Sequence, residues 1–209
     1  IRKDAKETLD YFRKQDVQIK IISGDDPSTV SAIARRCHLL DYEKYIDVSS
    51  LSDEEIKEAV EKYTIFGRVS PQQKKLMVTT LQENDHTVAM TGDGVNDVLA
   101  LKAADCSIAM ASGSDAAKSA SHIVLLKNNF NAMPHIVNEG RRVINNITAS
   151  ASMYLIKTIF SVVLSIGMIL FGHGYPFKPI QLTVISACCV GIPTFFLTYE
   201  PNFKRVSGD

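Results

Sequence analysis

The sequence predicts an α/β fold, a parallel sheet with helices on both faces, followed by a two-helix transmembrane hairpin. Three observations carry this. Up to about Asn146, short apolar runs alternate with charged, helix-forming stretches, the pattern of strands and crossover helices that builds a parallel sheet. Residues 149–199 are almost free of charge, so that stretch is written for a different solvent. Loops rich in Gly and Asp follow several strand-like runs, and they gather at the edge where such sheets place their chemistry.

Residues 4–14 carry Ala5, Leu9 and Phe12 at helical spacing, and the strand-like run 17–22 follows, ending in the polar loop Ser23-Gly24-Asp25. Pro27 is placed for a helix start, and the helix through Ile33 and Ala34 stops near His38. Ser52 with Glu55 three residues on is a capping box that opens a helix to about Tyr63. Residues 64–67 form a short strand, Pro71 opens a helix to about Asn84, and residues 86–91 form a strand. Gly92-Asp93-Gly94 is then a loop before a helix over 96–103, and 106–110 and 123–126 are two more strand-like runs.

The helical pattern resumes at Asn131 and runs through Ile144 and Ile147 into the apolar stretch 153–171. At 1.5 Å per residue, about 19 to 20 apolar residues match a bilayer core of roughly 30 Å. Residues 172–179 are a turn-rich connector, and 180–199 are a second uncharged span. Arg141, Arg142, Lys204 and Arg205 flank the open end, whereas the connector offers Lys178 and His173. The positive-inside bias therefore puts both ends of the hairpin in the cytoplasm. The organisation predicted is a sheet domain over 1–130, a helical stalk over 131–148, and a hairpin with a short cytoplasmic tail over 149–209. A lipid bilayer is the first partner implied.

Charge excludes one class of partner. Lys plus Arg and Asp plus Glu both total 23, so the chain carries no net field to gather nucleic acid. The four cysteines, Cys37, Cys106, Cys188 and Cys189, form no CxxC pair and have no histidine at zinc-like spacing, which favours reduced structural thiols. Ile1-Arg2-Lys3-Asp4 lacks both a signal sequence and an initiator methionine, and the chain is expected to start within a longer protein.

The chemistry concentrates in Thr91-Gly92-Asp93-Gly94-Val95-Asn96-Asp97, where two glycines permit a tight backbone and two carboxylates stand one helical turn apart. Mg²⁺ binds through one or two carboxylates plus substrate phosphate oxygens, and Asp93 and Asp97 supply such carboxylates at the catalytic edge. Half of this string alone reads as a solvated Asx-rich turn. The whole string resembles the hinge signature of P-type ATPases, and it continues as Leu99-Ala100-Leu101-Lys102-Ala103-Ala104-Asp105-Cys106-Ser107-Ile108-Ala109-Met110, as in that family. Ser23-Gly24-Asp25 stands where the family has its T/S-G-D loop, and Phe66-Gly67-Arg68-Val69-Ser70-Pro71-Gln72-Gln73-Lys74 resembles its F-A-R-V-x-P-x-x-K segment. Each alone is a common pattern; three in order are not.

The resemblance implies a Rossmann-like sheet of the haloacid dehalogenase superfamily, present in part, and its chemistry. A carboxylate nucleophile takes the γ-phosphoryl of ATP, with Mg²⁺, and forms an aspartyl phosphate. By match to the family motifs, Asp93 holds Mg²⁺, Asp97 supports the site and shares in metal binding, and Asn96 donates to the phosphoryl group. Lys74 pairs with phosphate and nucleophile. Ser23 and the amides of its loop, Gly24 included, bind phosphoryl oxygens, while Asp25 and Arg68 lie on the nucleotide side. The family's D-K-T-G-T nucleophile motif does not occur here. The resemblance places it, with the nucleotide-binding and actuator domains, in preceding sequence, so the isolated chain is expected neither to form the phosphoenzyme nor to pump. Val98-Leu99 departs from the Ala-Pro of many cation pumps.

Tyr154-Leu155-Ile156 and Pro179-Ile180-Gln181-Leu182 resemble the starts of the family's fifth and sixth membrane helices. The carboxylates that calcium and sodium pumps place there have no counterpart in either span, so a calcium-type ligand set is not carried over by these helices. The cargo expected is a cation, with another solute as the alternative. Candidate transport-path residues are Lys157, which either snorkels to the cytoplasmic face or serves as an internal counter-charge, Ser186, and Pro193 in Gly191-Ile192-Pro193, which interrupts the second span. The pump reading predicts an integral protein of the plasma membrane. A membrane-anchored phosphatase of the same superfamily and a non-catalytic membrane scaffold are the competing readings.

Overall fold

In the computed structural model, residues 5–126, 129–172 and 174–206 are described. The predicted helix start at Asp4 and the connector residue His173 lie outside them. The chain divides into two units, Ile1–Pro134 and His135–Asp209.

The first unit begins with α1 (Ala5–Lys14), β1 (Ile21–Ile22), α2 (Pro27–Arg36), β2 (Tyr45–Asp47), α3 (Asp53–Lys62), β3 (Ile65–Gly67) and α4 (Pro71–Glu83). After α4 come β4 (Ala89–Gly92), a 3₁₀ turn (Val95–Asp97), α5 (Val98–Ala103), β5 (Cys106–Met110), α6 (Asp115–Ala120) and β6 (Ile123–Leu125). All strand pairs are parallel, as predicted, but the described strands form two three-stranded sheets, ordered β1-β3-β2 and β4-β5-β6. The central strand enters last in the first sheet and second in the other, and because every pair is parallel every link is a crossover of the βαβ kind.

Local chemistry sets the helix starts. Ser52 Oγ accepts the Glu55 amide at 3.3 Å and Glu55 Oε2 accepts the Ser52 amide at 2.8 Å, completing the predicted capping box of α3. The start of α4 has a second box in Ser70 and Gln73, with Pro71 at the first turn. In α2, Pro27 follows the cap residue Asp26.

The strands are shorter than the apolar runs suggest. In the run 17–22 only Ile21–Ile22 pairs, with Ile65 and Phe66 of β3, a strand that starts two residues after the α3 cap at Tyr63. Lys20 instead turns its Nζ to the Tyr63 carbonyl at 3.0 Å, and burial pushes its pKa down. The run 86–91 loses its first residues to the end of α4, where Asp85 takes a φ of 63° and His86 N donates to Leu81 O at 3.0 Å. The helix predicted over 96–103 starts as a 3₁₀ turn. Elements β2 and α6 are additions to the sequence reading.

The core follows the two-residue period of β3. Ile65, fully buried, packs with Val30, Ala34 and Leu39 on one side. Phe66, also fully buried, packs with Val48, Ile56, Val60 and Met77 on the other. Burying each of the larger of these side chains contributes about 1.5–3 kcal/mol, which fixes β3 between α2 and the α3–α4 pair.

The second unit is dominated by α7 (Ala132–Leu170), 39 residues that begin in the first unit and join stalk and first span without a break, a length of about 58 Å. The second span is α8 (Pro179–Ser186), a π turn (Ala187–Gly191) and α9 (Ile192–Leu197). Pro193 has no amide hydrogen to give the carbonyl four residues earlier, and the widened turn accommodates that defect. The two helices have apolar windows of mean hydropathy 2.0 and 1.9 with 0% and 6% of their residues buried, unlike helices in a soluble core. They are antiparallel. Asn146 Nδ2, on a residue 7% exposed, donates to the carbonyls of Thr198 and Glu200 at 3.4 and 3.0 Å, and Asn145 Nδ2 donates to those of Asn202 and Lys204 at 3.1 and 2.9 Å.

Candidate active site

Two clusters of the predicted residues form at the carboxyl edges of the strands, one on each sheet of the first unit. On the first sheet, Ser23, Gly24 and Asp25 follow β1 and Arg68 follows β3. Backbone bonds stitch these loops together: Ser23 N donates to Phe66 O at 2.9 Å, Arg68 N to Asp25 O at 2.9 Å and Val69 N to Ser23 O at 3.0 Å. Ser23 Oγ accepts the Asp25 amide at 3.1 Å and donates to Asp25 Oδ2 at 3.3 Å, while Gly24 faces open space. Gly67 is required by close approach, since a Cβ there stands 2.6 Å from Pro27 Cβ.

Arg68 is the hub of this cluster. Its φ of 54° is left-handed, unusual for a residue with a Cβ. One terminal nitrogen donates to Asp47 Oδ2 at 3.0 Å and the other to Asp26 Oδ2 at 2.9 Å. Both carboxyls are held below their ordinary range, first by the hydroxyls of Ser28 and Ser49 respectively, then by the amides of the same serines, with Arg68 adding less.

The second cluster gathers Lys74, Asp93, Asn96 and Asp97. Helix α4 starts at the edge of the first sheet and delivers Lys74, one turn in, to the loop after β4. There Lys74 Nζ donates to Asp97 Oδ1 at 2.7 Å, with the two side chains only 10% and 13% exposed. The other carboxylate oxygen of Asp97 accepts the amides of Gly94 at 3.1 Å and Asp93 at 3.3 Å. Gly92 is needed because a Cβ there stands 2.6 Å from Asp97 Cβ. Asp97 thus braces the loop from below. Asp93 and Asn96 are exposed above it, and their side chains make no hydrogen bond among the described residues.

A further support comes from the β5–α6 loop. Ser114 caps α6 and its amide donates to Asp93 O at 2.8 Å, while Gly113 lies where a Cβ stands 2.9 Å from that same oxygen. Sequence reasoning passed over this loop, although Ser114-Asp115 carries a helix-start signal. It passed over Asp26 and Asp47 as well. Among the described residues no hydrogen bond or ion pair joins the two clusters.

For Mg²⁺ the donor set fits in one way. Asp93 presents an uncommitted carboxylate at the strand edge, whereas both oxygens of Asp97 are engaged. Among the described residues no group of three or more His, Cys, Asp or Glu is placed to hold a metal alone. A hard ion held by Asp93 would have to draw its remaining ligands from phosphate and water, as Mg²⁺ ordinarily does.

In the second unit, Lys157 lies in α7 and Pro193 in the first turn of α9. Ser186 Oγ donates to Leu182 O at 2.6 Å. Beside Pro193, the Thr194 hydroxyl is buried with no hydrogen-bond partner among the described residues, a feature the sequence did not single out.

Comparison with known proteins agrees with this architecture. Residues 1–105 match the family model of the haloacid dehalogenase-like hydrolases. The chain is 51% identical over 99% of its length to a probable cation-transporting ATPase, exp7, of Streptococcus pneumoniae, and 46% identical over 98% of its length to the calcium-transporting ATPase CtpE of Mycobacterium bovis. It spans 28% and 27% of the lengths of those relatives. Among solved structures it is similar to the catalytic domain of the CPx-ATPase CopB-B, with a TM-score of 0.51 and 26% identity over 65% of this chain and 44% of that one. It shares its fold with a zinc-transporting PIB-type ATPase in the E2.Pi state, with a TM-score of 0.69 and 24% identity over 95% of this chain and 27% of that one. The sheet-edge clusters and the family match lead to one statement: the chain belongs to the haloacid dehalogenase-like hydrolases.

Proposed function

We propose that this chain is the rear of the phosphorylation domain and the fifth and sixth membrane helices of a P-type ATPase, which couples ATP hydrolysis through an aspartyl phosphate to movement of a cation across the plasma membrane. The observation that carries the reading is the buried Lys74–Asp97 pair beneath an exposed Asp93. Phosphoryl transfer needs positioning and charge neutralisation above all, and a loop braced from below by an ion pair supplies both.

Asp93 is the residue that holds Mg²⁺, which neutralises phosphate charge when bound. Asp97 shares in metal binding only by releasing a bond it already makes, so its main work is to hold the Asp93 amide and carboxylate in register. Lys74, anchored by Asp97, presents positive charge toward phosphate and nucleophile. Asn96 donates to the phosphoryl oxygens, as do the amides of the Ser23–Gly24 loop. Asp25 and Arg68 face the nucleotide. The nucleophile and the nucleotide-binding and actuator domains belong to other parts of the polypeptide.

The names of the relatives support a cation as cargo, calcium among them. Neither span holds a carboxylate, so the hairpin contributes neutral oxygens: the Thr194 hydroxyl, Ser186, and carbonyls loosened by the π turn before Pro193. Lys157 stands by as a counter-charge or interfacial anchor, and both ends of the hairpin face the cytoplasm.

The experiment is phosphoenzyme formation by the full-length protein in membranes, with γ-labelled ATP and Mg²⁺, against a panel of cations. An acid-stable phosphoenzyme whose level depends on one cation is expected, abolished in Asp93→Asn. Absence of any acid-stable phosphoenzyme under every cation condition sinks the reading.

A further inference from the structure

The first sheet holds its guanidinium in an unusual way. The tripeptide pattern Asp-x-Ser occurs on both sides of Arg68, as Asp26-Pro27-Ser28 and Asp47-Val48-Ser49. In each, one aspartate oxygen accepts both the amide and the hydroxyl of the serine two residues on, at 3.0 and 2.6 Å for Asp26 and at 2.9 and 2.7 Å for Asp47. Such an Asx turn fixes the carboxylate. The second oxygen is thereby aimed outward, and in both cases it meets Arg68, at 2.9 and 3.0 Å. Two loops from two strands thus grip one side chain symmetrically, and the left-handed backbone of Arg68 carries that side chain between them.

Stability does not account for this arrangement. Arg68 is 53% exposed and its partners 42% and 35%, and ion pairs of that exposure contribute little to folding. What the grip removes is motion. An arginine side chain ordered before its ligand arrives spares the ligand the entropy of ordering it, which for one long side chain is a factor of about three to ten in affinity. The guanidinium has five N–H groups; two are in the grip, and the other three make no bond among the described residues.

We propose that Asp26 and Asp47 are positioning residues that pre-order Arg68 for the nucleotide, with Asp47 the member that no recognised motif marks. This rests on the reading that places Arg68 on the nucleotide side. Asp26 also caps α2, so Asp47 is the cleaner probe. Asp47→Asn retains an oxygen for the Ser49 turn but sets an amide NH₂ against the guanidinium, which breaks the grip with almost no change of shape.

The test is the ATP dependence of ATPase activity in the full-length protein in lipid. Asp47→Asn is expected to raise KM for ATP about fivefold, within the range for freeing one long side chain, with kcat within twofold and the thermal midpoint unchanged. Ser49→Ala, which loosens the turn without touching Arg68, gives a smaller rise of the same kind. The double variant Asp47→Asn/Arg68→Lys is no worse than Arg68→Lys alone, because Asp47 acts through Arg68. An unchanged KM in Asp47→Asn overturns the proposal, as does a fall in kcat and thermal midpoint together, or a double variant in which the two effects multiply. If the wild type hydrolyses no ATP, the function reading fails and this proposal with it; if the wild type is active beside an unaffected Asp47→Asn, only this proposal fails.

Discussion

Replacing Asp97 with Asn separates the structural from the chemical work of the second cluster. The asparagine keeps an oxygen for the amides of Gly94 and Asp93, so the loop retains its backbone bonds. Its NH₂ then faces the Lys74 ammonium across the 2.7 Å that the ion pair occupies, two donors with no acceptor between them. With the side chains 10% and 13% exposed, little water reaches the stranded charge. Breaking a buried pair from one side costs about 3–5 kcal/mol, a large part of the roughly 5–15 kcal/mol that holds a domain together. Removing both charges in Asp97→Asn/Lys74→Met takes away the stranded ammonium, and the double variant should recover about 2 kcal/mol or more of that loss. The chain has no tryptophan, so its chemical denaturation is followed by far-ultraviolet circular dichroism, and ATPase activity is read in the full-length protein. The expected result is a strong coupling in stability with no recovery of ATPase activity, since the proposed function gives Lys74 a part in the chemistry whether or not it is paired. A single variant within about 1 kcal/mol of wild type, or a double variant that simply adds the two losses, refutes the argument.

Four other outcomes follow. Gly67→Ala drives a Cβ to 2.5 Å from Pro27 N and 2.6 Å from Pro27 Cβ, and should destabilise the protein by about 3 kcal/mol in the same denaturation assay. Gly113→Ala meets Asp93 O at 2.9 Å; it should cut phosphoenzyme formation about tenfold or more by displacing the Asp93 loop, with a much smaller change in unfolding midpoint. Asp26, Asp47 and Asp105 have folded pKa values below the ordinary 3.8. Their stabilisation is therefore complete above that value and is lost as pH falls through the depressed ones, so acid unfolding should shift to higher pH when Ser49→Ala removes the hydroxyl, the largest of the contributions that hold Asp47 low. Joint replacement of Asn145 and Asn146 by Ala leaves four carbonyls of the stretch 198–204 without their amide donors, and tryptic cleavage at Lys204 should become faster in intact membranes.

Where a feature depends on local chemistry, the sequence was readable. Capping residues, prolines and glycines act on their immediate neighbours, so the starts of α2, α3 and α4 and the break in the second span lay close to where they were expected. Strand lengths were not local. The run 17–22 is strand-like in its alternation throughout, yet only Ile21 and Ile22 pair, because the length of a ladder is set by the partner segment, and β3 is only three residues long. Element β2 was missed for a related reason: Tyr45-Ile46-Asp47 is too short to show a two-residue period alone, and it is defined by its pairing with Ile65, Phe66 and Gly67.

The site divides along the same line. Motif strings located Lys74, Asp93 and Asp97 and gave them roles toward a ligand, because a motif records which residue types a reaction needs. It does not record what those residues do to one another. The ion pair between positions 74 and 97 requires α4 to cross from one sheet to the other, and nothing in either segment announces that distance. The Arg68 grip is harder still, for its two halves are 21 residues apart in sequence and meet only through a third segment. Yet each half is a local and legible unit, Asp-x-Ser, whose turn geometry leaves one carboxylate oxygen outward. A sequence search for such turns at the carboxyl ends of neighbouring parallel strands is therefore a search for cation-gripping edges, and residues that hold a binding side chain become visible before the fold is known.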